Sequence, residues 1–390
     1  MNAVSFGEIL LPKKGMDLTK WAVVACDQYT SEPEYWMQLK EWVGESPSTL
    51  CLICPECWLD QIDEKKAEIR KNSESYVKNI LVESADAVIV KRQVGKKVRT
   101  GLVAKIDLEC YSYEAKDKAL IRATERTVPE RIPPRMKVKS ASRLDLPHVL
   151  CLIDDKDHPL SRAIGETETL YSFDLNCGGG HIEGKKIINT TALFKCLSDI
   201  QSDAVKLGKP FILVGDGNHS LASAKAYYQE LKRSNDYRAL RARYALVEII
   251  SIYDEGLTFE PIHRVIFSDR LEDVLKKELS EGIPAKAFSG EKEIEIKLPK
   301  DPVEAFRKVT ALLDSLSEKY GYKVDYIHGE ESLKAICKNG ASGIVMPALE
   351  KSEFFGLVDR EGVLPKKTFS LGEANEKRYY LESRDLEKRQ

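Results

Sequence analysis

The stretch KPFILVGDGNHSLASAKAYYQELK, residues 209–232, decides how this chain is read. An apolar run, 211–214, ends abruptly in Gly215-Asp216-Gly217-Asn218-His219, and Leu221, Ala224, Tyr228 and Leu231 then recur at helical spacing. The pattern predicts a buried strand, a tight glycine turn and a helix whose N-terminus opens at the end of the strand. Free backbone N–H groups and the helix dipole favour a phosphate or carboxylate at such a place, and the glycines let a ligand approach the backbone. A plainer reading stands beside this one: Asp216 or Asn218 caps the helix and His219 is a surface residue of its first turn.

Strand and helix signals extend outward on both sides. A helix over 191–207 precedes the turn and a strand reaches 252, so strand, helix, strand, helix, strand follow one another across 169–252. That order predicts an α/β (mixed α+β) fold with a parallel or mixed sheet. Nearer the N-terminus, WAVVACDQYT (21–30) is a short buried strand that empties into a polar turn at Asp27. SEPEYWMQLKEWV (31–43) is an amphipathic helix with Ser31 and Glu34 in capping-box spacing. ADAVIVKRQV and KVRTGLVAKIDLE form a hairpin turning at Gly95. The segment 121–147 carries prolines at 129, 133, 134 and 147 and little periodicity, which predicts an irregular excursion.

Beyond IHRVIF the composition turns charged. The expected organisation is an N-terminal α/β core over 1–267 carrying the DGNH turn, a charged connector over 268–302, and a smaller C-terminal α/β unit over 303–390.

Composition narrows the function classes. The 390 residues hold 60 basic and 62 acidic side chains, interspersed, for a net charge of −2. No field of one sign is present to attract a polyanion, so nucleic acid is not the expected partner. No stretch approaches the roughly 18 apolar residues of a membrane helix and no secretory leader is visible, so no membrane partner and a cytoplasmic location are expected. Cys51, Cys54 and Cys57 in CLICPECWL resemble half of a zinc site. No second ligand pair accompanies them, and no zinc is expected.

Several stretches, taken in order, resemble a large, mostly bacterial family known as domain of unknown function 1015. GDGNHSLASAKAY is similar to its DG-H-H-R-x-x-A signature, WAVVACDQYTS sits at its N-terminal turn, and IRATERT resembles its His-Glu-x-Thr segment. GGGHIEG resembles its Gly-x-x-His element, LTFEPIHRVI its Pro-Thr-His-Arg stretch, and LPKKTFSLGEANEKRYY its C-terminal Pro-x-Lys-Ser-Thr. The signature also resembles the phosphate-facing motif of the ParB and sulfiredoxin superfamily, which includes free-serine kinases. Asn218 and Ser220 depart from it, Ser220 standing where that superfamily has a phosphate-binding arginine.

The resemblance implies a ParB/sulfiredoxin-like phosphate-turn core that takes a nucleotide or a small phosphorylated metabolite. It implies phosphoryl transfer or phosphate-ester hydrolysis, by a small-molecule kinase or a phosphatase, with serine or phosphoserine as substrate. Asp216, His219 and Glu125 are the candidate catalytic residues. Gly217, Asn218, Arg126, His181, His263, Arg264 and Lys367 are candidates for binding substrate or phosphate, with Arg131, Arg135 and Lys366 as further cations. Asp27 is the candidate ligand for Mg2+. Asp27 and Glu125 are equally readable as helix caps or salt-bridge partners, and His181, after three glycines, as part of a plain hairpin loop. The alternative to an enzyme is a protein that senses a nucleotide or metabolite without turnover, and a ParB-like DNA-binding role is disfavoured by the charge.

Overall fold

Alternation of side chains builds the larger sheet. The computed structural model describes residues 2–365 and 367–388. Ten strands, β1 (Val4–Ser5), β2 (Val88–Val94), β3 (Lys97–Asp107), β4 (Tyr111–Ser112), β5 (Ile121–Ala123), β6 (Leu150–Ile153), β7 (Thr167–Asp174), β8 (His181–Ile187), β9 (Ile212–Asp216) and β10 (Tyr244–Ser251), form one mixed sheet. Their order is β7-β8-β2-β3-β10-β6-β9-β5-β4, with β1 paired to β3. Along β2 and β3, Ile89, Leu102, Ala104 and Ile106 face a core shared with the helices Thr191–Lys206 and Asn218–Arg233. Val88, Val90 and Val103 point the other way, into a core built on Trp21, Trp36, Leu39, Tyr379 and Leu381. The period of two therefore serves both faces at once, and each large apolar side chain so buried contributes about 1.5–3 kcal/mol.

The fold is mixed α+β, as expected. The order predicted over 169–252 is present, but β9 and β10 are not neighbours. β6 lies between them, parallel to β10 and antiparallel to β9. The hairpin of β2 and β3 turns through Gly95 at φ +58°.

Among the described residues two compact units separate: 2–257 with 358–362 and 373–388, and 258–357 with 363–372. The second unit carries a six-stranded antiparallel sheet that includes Glu260–Ile266 beside Val324–His328 and Ser342–Ile344. Its helix Pro302–Tyr320 begins with Asp301 accepting from the Val303 and Glu304 N–H groups at 2.8 and 3.1 Å, and ends on Gly321 at φ +70°.

Four expectations change. The stretch 268–302, expected as a connector, forms a helix (Glu272–Glu278) and the hairpin Ile283–Ser289 with Lys292–Leu298. In the second strand of that hairpin Ile294, Ile296 and Leu298 are buried and alternate with exposed Glu293, Glu295 and Lys297, so its charge belongs to one wetted face. The excursion 121–147 is ordered: β5 is followed by the helix Ile132–Ala141, whose Pro133 and Pro134 sit in the first turn, where a missing N–H costs nothing. The capping box is not made, since the helix Pro33–Val43 starts from Glu32 without a side-chain cap.

Lastly, residues 373–388, expected in the C-terminal unit, belong to the first. Tyr379–Tyr380 pairs with Val23–Val24, Arg384–Asp385 pairs with Leu144–Asp145, and the Trp21 indole donates to the Leu381 carbonyl at 2.9 Å. Arg378, buried, bonds the equally buried carboxylates of Glu248 and Glu382. No helix among the described residues is long and apolar enough to cross a membrane.

Candidate functional site

β9 ends at Asp216, and Gly217 then takes φ +82° as the residue that starts the helix Asn218–Arg233. A Cβ at Gly217 would lie 3.1 Å from the Cα of Val149 and 3.4 Å from the His148 ring, so the position requires glycine for conformation and for space. No side chain caps this helix. Neither Asp216 nor Asn218 has the capping role left open by the sequence. Asp216 instead accepts the Gly217 N–H at Oδ1, 3.1 Å, while Oδ2 lies 3.3 Å from Nζ of Lys377. Oδ1 of Asn218 is buried without a hydrogen-bond partner.

The segment 124–128 runs beside the turn because β5 pairs with β9 in parallel, an arrangement continued by a 2.7 Å bond from the Thr124 hydroxyl to the Val214 carbonyl. The Val128 N–H donates to Nε2 of His219 at 3.1 Å. A nitrogen that accepts carries no proton, so the neutral ring holds its proton at Nδ1. Burial, joined by Arg135 and Arg131, pushes the His219 pKa down to about 4 against the opposing pull of Glu56 and Asp27. His219 is thus a neutral donor near pH 7. Glu125 is half-buried on the same segment and Arg126 is exposed. Thr127 is only 6% exposed, and its hydroxyl has no partner.

Asp27 follows the strand Val23–Val24. Burial pushes its carboxyl up, but His148, a 2.9 Å bond from Gln28, Lys377 and Arg135 together carry it below the usual carboxylate range. His148 is buried directly before β6. Burial lowers its pKa while Asp27 and Asp216 oppose the shift. Its Nδ1 lies 2.6 Å from the Tyr380 hydroxyl, which also donates to the thiol of Cys26 at 3.1 Å. Burial and then Asp27 push that thiol up to about 12, so it stays protonated and is no nucleophile. Arg135 is held by Glu56 at 2.6 Å and donates to the Arg131 carbonyl.

Of the candidates from sequence, Asp27, Asp216, Gly217, Asn218 and His219 fall in this one neighbourhood, with Glu125 and Arg126 on the flanking segment. His181 does not. It opens β8, five strand spacings or about 24 Å from β9, and is exposed, with its ring nitrogens on Asp174 at 2.7 Å and Ser172 at 2.9 Å. His263, Arg264 and Lys367 lie in the second unit. There Nδ1 of His263 accepts the Met346 N–H at 3.1 Å, and the buried Arg264 guanidinium donates to the carbonyls of Ile262 and Lys367. Lys366 lies outside the described residues. The thiols of Cys51, Cys54 and Cys57 do not gather into a group of metal-ligand spacing.

His148, Tyr380 and Lys377 escaped the sequence reading. His148 carried a usable signal, an imidazole set between Pro147 and a buried strand. Lys377 and Tyr380 lie in a charged tail, with nothing local to mark them.

The fold is thus a mixed α+β sheet whose strand β9 delivers an uncapped helix N-terminus beside two carboxylates, two imidazoles and a lysine. The family model described as a protein of unknown function, DUF1015, matches residues 10–385, and the chain belongs to that family. Solved structures to which it is similar include a conserved hypothetical protein from Pyrococcus furiosus, 16% identical, covering 73% of this chain and 96% of that one at a TM-score of 0.34. A free serine kinase variant in complex with ADP is 15% identical over 74% of this chain and 92% of that one, at a TM-score of 0.38. SbnI with a C-terminal truncation, from Staphylococcus aureus, is 11% identical over 69% and 82%, at 0.37. No curated protein sequence matches the chain.

Proposed function

We propose that the first unit binds a nucleotide or a small phosphorylated metabolite over the Asp216–His219 turn and transfers or hydrolyses its phosphoryl group, with serine or phosphoserine as the substrate. The observation that carries this reading is the uncapped helix N-terminus, with the buried, unpartnered hydroxyl of Thr127 on the segment bonded to His219. Buried polar atoms are nearly always bonded, and a hydroxyl that can donate to an anion suits this place, whereas Oδ1 of Asn218, which only accepts, suits a cation or a donor of the ligand. The N–H groups of the first turn receive phosphate oxygens. Nδ1–H of His219 adds a donor without adding charge, and Arg126 approaches from the exposed side of its segment. Glu125 takes the proton from the attacking hydroxyl, whose oxygen forms the new bond to phosphorus as the leaving oxygen departs with the electron pair. Asp27 and Asp216 offer hard oxygens of the kind Mg2+ prefers, and an ion held by them would neutralise phosphate charge. The choice of serine rests on the likeness of the signature motif to free-serine kinases.

A second reading, a sensor without turnover, is favoured by Ser220, which offers the first turn a hydroxyl in place of a cation. The two are separated by incubating the full chain with ATP, ADP or phosphoserine, with and without Mg2+, and following both melting and phosphate transfer to serine or water. A probe at 100 times its dissociation constant adds about 2.7 kcal/mol. Stabilisation with turnover supports the enzyme and stabilisation alone the sensor. No stabilisation by any probe refutes both.

A further inference from the structure

We propose that Lys105 is a modification site of the first unit: its amine takes up carbon dioxide and becomes a carbamate. The site is separate from the turn and does not depend on the reading above. Lys105 lies on β3, three strand spacings or about 14 Å from β9.

Strand pairing sets Lys105 opposite Ser5 of β1 and Leu246 of β10, on the sheet face that also carries Val103. The side chain is half-buried. Its ammonium lies 5.8 Å from the centre of the Tyr244 ring and makes no hydrogen bond or ion pair among the described residues. Charges taken from water are normally paired, so a lysine in this state is unusual. Gly7 makes room for it. A Cβ there would come within 3.2 Å of Nζ, and the residue sits at φ +118°. Nζ is not sealed from solvent, so a small neutral molecule can reach it.

The charged groups that act on Lys105 are Arg384, Arg241, Glu8 and Asp86. Arg384 is buried. Its Nη2 donates to the carbonyls of Arg241, at 2.9 Å, and Tyr244, and lies 3.5 Å from Asp145, while its Nε is buried without a partner. Arg241 bonds Glu8 and donates to the Asp385 carbonyl at 2.6 Å. Glu8 is therefore already matched, by Arg241 and by Lys388 at 3.7 Å. Asp86 is exposed, and solvent screens its charge. Burial, then Arg384 and Arg241, push the Lys105 pKa down to about 8 against the opposing pull of Glu8 and Asp86. A share of the amine is thus uncharged near neutral pH, the form that a nucleophile requires.

In the step itself the lone pair of Nζ attacks the carbon of carbon dioxide. An N–C bond forms, one C=O pair moves onto oxygen, and the nitrogen sheds a proton to water. No oxidant or cofactor takes part. The product carries one negative charge where the ammonium carried one positive. It removes a cation from beside two guanidiniums and sets carboxylate oxygens in the cluster that holds the unpartnered Nε–H of Arg384. An imine, the product with an aldehyde, would bring no such acceptor, and carbon dioxide is the smaller guest for a half-buried amine.

The test incubates the full chain with isotope-labelled bicarbonate, which supplies carbon dioxide, near pH 8. There about half of Lys105 is neutral, roughly 150-fold the share of an ordinary lysine. Carbamates are then fixed by O-ethylation with an oxonium reagent and located by peptide mass. Label on Lys105 at least tenfold above any other lysine is expected. In wild-type protein alone this mapping decides the matter, so it needs no variant that folds. Lys105→Arg, which keeps the positive charge, adds a second readout: bicarbonate should raise the melting temperature of wild type and leave that of the variant unchanged. No label on Lys105, label spread evenly over the lysines, or equal melting shifts in both chains would overturn the proposal. None of these results bears on phosphate binding at the turn.

Discussion

Replacing Asp216 by asparagine removes one charge and little else. The Oδ1 acceptor for the Gly217 N–H is kept, and no helix cap is lost because this helix has none. What disappears is the attraction between Oδ2 and Lys377 at 3.3 Å. At an effective dielectric of 20 that attraction is about 5 kcal/mol gross, most of it offset by taking both ions out of water. The side chains are 11% and 23% exposed, so the pair falls between an open surface bridge, worth up to about 1 kcal/mol, and a fully buried one, whose breaking costs about 3–5 kcal/mol. A coupling of about 1.5–2 kcal/mol is expected in a double-mutant cycle of Asp216→Asn with Lys377→Met. Urea unfolding followed by tryptophan fluorescence suits the measurement, because all four tryptophans, at 21, 36, 42 and 58, lie in the first unit. A coupling below about 0.5 kcal/mol, the size of ordinary non-additivity, would refute the pairing and the placement of Lys377 with it.

Three further outcomes are expected. His219 has a folded pKa near 4 against about 6.5 unfolded, so between those values the unfolded chain takes up a proton that the native state refuses, and stability falls with pH. Relative to His219→Gln, wild type should lose about 1–2 kcal/mol from pH 6.5 to 4.5, less than the full linkage because the ring is only partly buried; parallel pH profiles would show that His219 titrates normally. Thr127→Val should leave ligand-free stability unchanged or raise it by up to about 1 kcal/mol, since the hydroxyl it removes is already unbonded, while weakening any phosphate probe that stabilises wild type. A loss above 1 kcal/mol on urea unfolding would mean that the hydroxyl has a partner. Gly180→Ala combines a left-handed backbone, about 1–2 kcal/mol, with a Cβ 2.0 Å from the Gln93 carbonyl, and is expected to cost about 3 kcal/mol or more by the same assay, whereas a neutral result would dismiss the close approach.

How far the sequence could be read depended on the range of the interactions involved. The turn at 215–219 was legible because a period of two meets a period of 3.6 there with glycines between, and both signals are local. Asp27 was legible for the same reason, as the polar end of a short apolar run. The strand Lys292–Leu298 alternates cleanly, yet its charged face obscured the apolar one and made it look like a connector. Lys377 and Tyr380 reach the site through the pairing of Tyr379–Tyr380 with Val23–Val24, a contact between ends of the chain that no neighbouring residue announces. Arg92 read as one more polar position of a hairpin, although its guanidinium is turned inward onto three carbonyls.

The return of residues 373–388 to the first unit sets an order for biosynthesis. During translation the strand Val23–Val24 and the Trp21 indole leave the ribosome hundreds of residues before Tyr379–Tyr380 and Leu381 exist to meet them. Most of the second unit is continuous, 258–357, and is complete in the interval. The larger sheet must therefore wait, its Trp21 and Tyr171 face uncovered and Glu248 without Arg378, until about residue 385 has emerged. In that interval the nascent chain offers chaperones an apolar surface that the finished protein does not. A ribosome stalled anywhere before Tyr379 leaves a sheet without its cover and a turn without its lysine.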